Sequence, residues 1–568
     1  MTEKYFLGIS LGFNSSACIV SNTRGLISAV SQERISGKKN TKEIPFDAML
    51  ECIALAGLKK IDKICISHYE KITVKYFEKY SAHKLVGNNW DEFILNFLKS
   101  KGVEIVSDDI ARVDHHIAHQ YSTFGFYGFP KNNNYYMITS DGFGDGFSGK
   151  ITHSTQGTIS TVKLENSVAL VYQFVTGALG FKEHQHEGKI TGLAAYGKPI
   201  YLVEFFRCFD KCESENGITF NNREYLTRPE MSEVLESSII DFDKFILLRK
   251  TIYNLVADLL IDGAKREDIA ASVQVFAENV TIQWIAKHCT GGGNAYLSGG
   301  LFANVKINQR IKDLEIFDNV YVCPAMGDEG TAVGAAIFTS EWHEQIENYS
   351  ERVISGTPVY GDESTFDNVK KYLEENNLTD KYKVSMTLVP IDDIVERLAD
   401  NKIVCLMRDN MEFGPRALCH RSILYNCNSK DTNDWLNKKL SRTEFMPFAP
   451  VCRKEVADDL FENLNGGRTT AKFMTMTFDC TDEFEKDYPA ACHIDKTARP
   501  QIISKDDDEF MWTVLKGYQE KTGKKALINT SFNLHNWPII RTEKVGLESW
   551  ITSDTDCLVI GNVIIEKR

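Results

Sequence analysis

The chain has 568 residues, 43% hydrophobic and 25% charged, the balance of a soluble globular protein with room for two large α/β halves or three to four ordinary units. Its formal charge of -13 excludes a broad grip on a nucleic-acid backbone, which would need a basic surface, and leaves at most a local basic cleft for anions. The fourteen cysteines stand singly apart from Cys208 and Cys212, which reads as reduced thiols in the cytoplasm rather than a zinc ribbon; no window approaches a membrane span, and no basic-then-apolar leader opens the chain.

In chain order, Phe6 to Ser10, a turn containing Gly12, Ser16 to Ser21, the turn Thr23-Arg24-Gly25 and Leu26 to Ser31 predict a hairpin start. Its small-residue turn suits a phosphate, and an ordinary edge hairpin is equally compatible. Next comes Val113-Asp114-His115-His116-Ile117-Ala118-His119. Four-residue spacing stacks the His115 and His119 imidazoles on one helical face, where they could share a metal ion or be ordinary surface or core residues. Two Asp-Gly clusters, Ser140 to Gly146 and Pro324 to Gly330, offer Asp141 and Asp328 as carboxylates for a mixed nitrogen and oxygen shell with room for substrate.

A helical stretch is expected from Asp243 to Ala286. A strand at Asn294 to Leu297 runs into Ser298-Gly299-Gly300, whose backbone amides could approach a nucleotide, before a helix that begins near Asn304. A strand at Val320 to Val322 precedes the turn Gly327-Asp328-Glu329-Gly330 and the small-residue helix Thr331 to Ala336. Three strand-to-turn signals separated by helices predict a two-lobed α/β domain with ligands at the strand ends. Gly356, Pro358 and Gly361 mark Glu341 to Asp367 as a linker, with a boundary near residue 350. Beyond it, a helix through Leu398, a buried strand at Lys402 to Met407 and a strand at Ala526 to Ile528 are expected. No internal repeat is visible.

The second half carries Glu412-Phe413-Gly414-Pro415-Arg416-Ala417-Leu418, Arg421-Ser422-Ile423-Leu424, Arg442-Thr443-Glu444-Phe445-Met446-Pro447-Phe448-Ala449-Pro450 and Asn529-Thr530-Ser531-Phe532-Asn533. With Asn14-Ser15-Ser16-Ala17, the His115 to His119 run, Asp141-Gly142, Glu187 to Gly197, Ser298-Gly299-Gly300, Gly327-Asp328 and Gly561-Asn562 in the same order, these motifs resemble the NodU/CmcH family of O-carbamoyltransferases. The resemblance implies an α/β protein: an actin-like, sugar-kinase- and Hsp70-type two-lobed ATPase fold over 1–350, then a YrdC-like α/β domain over 351–568. It implies two stages. The second domain converts carbamoyl phosphate and ATP, with Mg2+, into carbamoyl-adenylate, and the first passes the carbamoyl group to a hydroxyl of a sugar, antibiotic or nucleoside.

The resemblance assigns His115, His119, Asp141 and Asp328 to a divalent metal, iron by family precedent with manganese or zinc as alternatives, and Asp141 and Asp328 a catalytic part. His116 is implied to be a neighbour of the shell. Ser298, Gly299, Gly300 and Asn304 are implied nucleotide contacts, with Lys189 and Tyr196 facing the same cleft. Arg416 and Arg442 are implied anion clamps, since a guanidinium meets phosphate oxygens in bidentate fashion; Arg499, Asn529, Ser531 and Asn533 would hold the donor or its phosphate. Two departures stand out: Phe13 occupies the place of a histidine that could act as base, and Leu440 and Met446 replace basic residues around the Arg442 motif. Alternatives are carbamoylation of a hydroxymethylated pyrimidine in a nucleotide or DNA, which the acidic charge disfavours for the polymer, and a nucleotide-binding relative that has lost transfer. Oligomeric state is not legible.

Overall fold

The computed structural model describes residues 2–68, 90–214, 242–345, 350–440, 447–553 and 555–568. The expected hairpin start forms: Tyr5–Ser10 pairs antiparallel with Ser16–Ser21, which pairs with Gly25–Ser31. Leu7, Ile9, Ile19 and Val20 are fully buried, so it belongs to the core. Tyr5–Ser10 is the centre of a five-stranded sheet whose other side is made by Lys63–Ile66 and Ala111–Arg112, both parallel. A second five-stranded sheet repeats this plan. Gly157–Val162, Phe147–His153 and Tyr135–Gly144 form the antiparallel meander, and Asn294–Ser298 and Asn319–Val322 add two parallel strands.

Two sheets of the same order, a meander followed by parallel strands, are the architecture expected of an actin-like fold. The repeat is invisible in the sequence because it lives in hydrogen-bond topology, which different side chains can satisfy equally well. The helical middle resolves into Phe242–Ile261 and Arg266–His288.

The chain packs as two compact units, Met1–Gln32 with Asn40–Ile346, and Glu33–Lys39 with Glu347–Arg568. The second unit is built on one mixed eight-stranded sheet in the order Tyr382–Met386, Val563–Lys567, Cys557–Ile560, Val404–Met407, Arg421–Tyr425, Ala526–Ser531, Ala449–Arg453, Gln501–Ile503. Val404, Leu406, Leu424, Val451, Leu527 and Val559 form its core with Ile394 and Leu398 of helix Pro390–Ala399 and Val514 and Leu515 of helix Glu509–Thr522. The expected linker corrects to regular structure in part. Ile354–Val359 is a strand paired with Asp409–Glu412, and its register shifts between Ile354 and Pro358, which is how a two-stranded ribbon accommodates a proline that cannot donate to the ladder. Among the described residues no helix is long and apolar enough to cross a membrane.

Candidate metal centre and anion site

Asp114 caps helix His115–Tyr127 by accepting from Ile117 N at 2.9 Å, and Lys150 Nζ holds the same carboxylate at 2.8 Å. The cap fixes the first turn, and Asp145 Oδ2 accepts from the His115 backbone N–H at 2.7 Å. His115 and His119 therefore emerge together, at 1% and 0% exposure. Opposite them, Asp141 sits on strand Tyr135–Gly144. Asp328 opens the short turn Asp328–Gly330 that feeds helix Thr331–Ser340.

That helix can come close only because its residues are small. A Cβ on Gly334 would lie 1.6 Å from Ala118 O, and one on Gly8 2.1 Å from Ala332 O, so the helix nests against both the histidine helix and the central strand. Ser10 Oγ and Thr331 Oγ1 donate to the Asp328 carbonyl at 2.8 and 2.7 Å, locking the turn.

His115 Nε2 lies 3.2 Å from Asp141 Oδ2 and 3.7 Å from Asp328 Oδ1; His119 Nε2 lies 3.3 and 3.4 Å from the same atoms. All four ligand atoms fall within 4.8 Å of one another. Metal-to-ligand bonds of about 2.0–2.2 Å imply ligand-to-ligand edges of about 3.0–3.5 Å in tetrahedral or octahedral shells, so the donor set fits a divalent transition ion. The electrostatics agree. Burial disfavours a charged His119, but Asp141 and Asp328 outweigh it and push the imidazole up to about 9. Asp141 is held well below the usual carboxylate range against its burial, by His115 and His119. Burial and then Asp141 push Asp328 up. Such a cluster calls for positive charge.

Its surroundings orient the ligands. Ser298 Oγ lies 3.3 Å from His119 Nδ1 and 3.2 Å from Ser122 Oγ, turning Nε2 toward the carboxylates. Gly300 N donates to Asp141 Oδ1 at 3.1 Å. Gly299, at φ 107, lets this loop pass so close to Ser140 that a Cβ would lie 2.3 Å from its carbonyl oxygen. These loop residues thus shape the ligand shell. Asn304 is 8% exposed and caps helix Val305–Lys312, accepting from Lys306 N and Ile307 N while its amide donates to Gln274. Lys189 is buried in the first turn of helix Glu187–Ala194, and Tyr196 just beyond it is 52% exposed. His116 turns away, its ring nitrogens on Thr139 Oγ1 and Phe147 O, both at 2.9 Å.

His68 escaped the sequence reading. Its ring stacks on His115 at 4.9 Å with 11° between planes, and its Nε2 reaches Leu11 O at 3.2 Å. A lone histidine after a buried strand carries no spacing signal, so only the fold could reveal it. Phe13 stacks on His184 at 4.3 Å.

In the second unit, Arg416 is half-buried in the bend before Arg421–Tyr425, and burial pushes its guanidinium down to about 10. Asn529, 1% exposed, donates through Nδ2 to Gln501 Oε1 at 2.7 Å and Ala417 O at 3.2 Å. It thereby ties the Arg416 bend to the strand that follows half-buried Arg499. Ser531 and Asn533 bond each other at 2.5 Å, and Asn533 Nδ2 donates to Leu534 O and Trp537 O, so this pair builds the turn after the strand. Arg442 lies outside the described residues, as does Met446.

The family description "Carbamoyltransferase N-terminus" matches residues 5–337 and "Carbamoyltransferase C-terminus" matches 395–567. Uncharacterized protein MJ1051 of Methanocaldococcus jannaschii is 28% identical over 99% of both chains. Nodulation protein NolNO of Sinorhizobium fredii is 27% identical over 96% of this chain and 77% of its own. Nodulation protein U of Rhizobium tropici is 30% identical over 47% of this chain and 44% of its own. Among solved structures, full-length HypF in its phosphate- and nucleotide-bound form covers 60% of this chain and 55% of its own, at 15% identity and a TM-score of 0.30. With family descriptions covering both halves and relatives spanning nearly the whole length, this chain belongs to the carbamoyltransferase family.

Proposed function

We propose that this carbamoyltransferase works in two ATP-dependent stages and delivers the carbamoyl group to a hydroxyl of a small molecule. In the first, water splits carbamoyl phosphate into carbamate and phosphate, and a carbamate oxygen then bonds to the α-phosphorus of ATP, giving carbamoyl-adenylate as the bond to the pyrophosphate leaving group breaks. In the second, the acceptor oxygen bonds to the carbamoyl carbon, the bond to the AMP oxygen breaks, and the acceptor proton leaves to a base. The observation that carries the reading is the convergence of two imidazole nitrogens and two carboxylate oxygens within 4.8 Å at the end of a strand and a helix. His115, His119, Asp141 and Asp328 would hold the divalent ion, iron by the family precedent, which when bound supplies Lewis-acid polarisation of the carbamoyl oxygen.

The chain's own residues have distinct tasks in this scheme. Ser298 and Gly300 hold His119 and Asp141 in their ligating orientation. In the second unit, Arg416 would clamp a phosphate, since an anion relieves the penalty that burial places on its charge. Asn529 keeps the Arg416 bend against the sheet, and Arg499 is a second cation on the adjoining segment. The free cysteines, mostly buried thiols, support a reducing compartment such as the cytoplasm.

The test incubates the protein with carbamoyl phosphate, ATP and magnesium and resolves the nucleotides by mass. Carbamoyl-adenylate and pyrophosphate are expected; ATP left intact, or converted only to ADP, overturns the two-stage scheme.

A further inference from the structure

His184 lies outside the metal cluster, yet it is held more tightly than packing alone requires. Its backbone is left-handed, at φ 63, unfavourable for a residue with a side chain and a mark of imposed geometry. The ring stacks on Phe13 at 4.3 Å with 22° between planes, and Lys42 Nζ lies 3.8 Å from the Phe13 centroid. Asn40 Nδ2 donates to the His184 carbonyl at 2.5 Å, and the His184 N–H donates to Glu187 Oε1 at 2.6 Å. The stack flanks the metal cluster, because Asn14, next to Phe13, reaches Glu329 Oε2 at 3.4 Å, one residue beyond Asp328.

A chain of hydrogen bonds fixes the tautomer of this ring. Glu183 takes Arg249 Nη2 at 2.7 Å and the Tyr253 hydroxyl, and these partners outweigh its burial to keep it ionised. Gln173 Nε2 lies 3.2 Å from Glu183 Oε2 and 3.1 Å from His184 Nε2. An amide oxygen turned toward that carboxylate would be repelled, so the NH2 group faces it. One N–H goes to Glu183 and the other to His184 Nε2, which must accept. At neutral pH the ring is therefore neutral and carries its one proton on Nδ1. No hydrogen bond among the described residues takes that N–H, and the residue is exposed.

We propose that His184 recognises the acceptor, its Nδ1–H donating to an oxygen lone pair beside the hydroxyl that receives the carbamoyl group, with Gln173 and Glu183 as positioning residues that set the tautomer. The proposal rests on the carbamoyl-transfer reading. It narrows the acceptor to one presenting an oxygen lone pair at that point, as a sugar or polyol does, rather than an ammonium or amide N–H. A proton on Nδ1 also makes His184 a donor and not the base.

The test supplies carbamoyl phosphate, ATP and magnesium to the full chain and compares two nucleophiles: hydroxylamine, too small to need recognition, and a panel of monosaccharides and alditols. His184→Asn tolerates the left-handed backbone and keeps an N–H at the δ position; His184→Ala keeps neither. With the best sugar, kcat/KM of His184→Ala should fall about tenfold through KM, the worth of one hydrogen bond, while His184→Asn stays within about threefold. Hydroxylamine should be carbamoylated equally by all three. In 15N spectra of histidine-labelled protein, His184 should be protonated on Nδ1, and Glu183→Gln should convert it to a tautomer mixture. Equal sugar kinetics in parent and His184→Ala, equal losses with both nucleophiles, a parent using hydroxylamine but no sugar or polyol, or an Nε2-protonated ring would overturn the proposal alone. A parent that carbamoylates neither nucleophile would overturn the transfer reading together with it.

Discussion

His115 has no slack on the side of Gly144, and Gly144→Ala exploits this. A Cβ there would lie 2.1 Å from His115 Cδ2, 2.3 Å from Cγ and 2.8 Å from Cβ, all closer than real contacts allow. The ring cannot swing clear, because His115 is 1% exposed and its helix is pinned by the Asp114 cap. It must tilt, drawing Nε2 away from its places 3.2 Å from Asp141 and 3.7 Å from Asp328. Overpacking of this kind costs about 1–3 kcal/mol, and a displaced ligand should lower metal affinity by about 10- to 100-fold. Gly142→Ala, two residues away, would meet only Leu170 Cδ2 at 3.5 Å, an ordinary contact, and should stay within about 0.5 kcal/mol of the parent. Calorimetric titration of chelator-treated protein with Mn2+, alongside thermal unfolding, compares the three chains. Parent-like affinity in Gly144→Ala, or equal loss in Gly142→Ala, would refute the placement of His115 as a ligand wedged by its neighbour.

Arg421, 0% exposed, donates to the carbonyls of Arg408, His420, Thr357 and Asp409 at 2.6 to 3.2 Å; Arg421→Met strands them and should cost about 3–5 kcal/mol, read as a lowered urea midpoint for the second unit. Cys419 is buried at φ 71, so Cys419→Gly should be about 0.5–1 kcal/mol more stable than Cys419→Ala by denaturant titration, the reverse of the usual order. Burial pushes Glu187 up to about 7 from 4.5: the folded state holds that proton more tightly, so its stabilising contribution is full below 4.5 and is lost as pH rises through 7. Glu187→Gln should flatten the fall in chemical stability over that window, and an unchanged pH profile would count against a buried carboxyl there.

Much of the fold was legible because it is written locally. The hairpin start, the strand entering Ser298-Gly299-Gly300, the cap at Asn304 and the helix after Asp328 each combine a run of apolar residues with a turn residue whose conformation is restricted. The four-residue spacing of His115 and His119 was equally local. What brings Asp141 and Asp328 to them is the nesting of small residues, Gly334 against Ala118 and Gly8 against Ala332, a contact between distant segments that no spacing encodes. For the same reason His68 and His184 carried no signal. The glycines at 299 and 300 were visible as a close approach, but what they approach, Ser140 and Asp141, is set by the pairing of two strands far apart in sequence. The linker misread has a similar cause: glycine and proline break strands in isolation, whereas a two-stranded ribbon with an irregular register absorbs them.

The central claim is that the His115, His119, Asp141 and Asp328 cluster delivers a carbamoyl group activated elsewhere. The most direct measurement follows both stages in His119→Ala with carbamoyl phosphate, ATP and magnesium, scoring pyrophosphate and carbamoyl-adenylate for the first and carbamoylated hydroxylamine for the second. The expected result is adenylate formed at the parent rate with transfer lost. Transfer at the parent rate, or loss of adenylate formation along with it in a chain that is still folded, would contradict the claim.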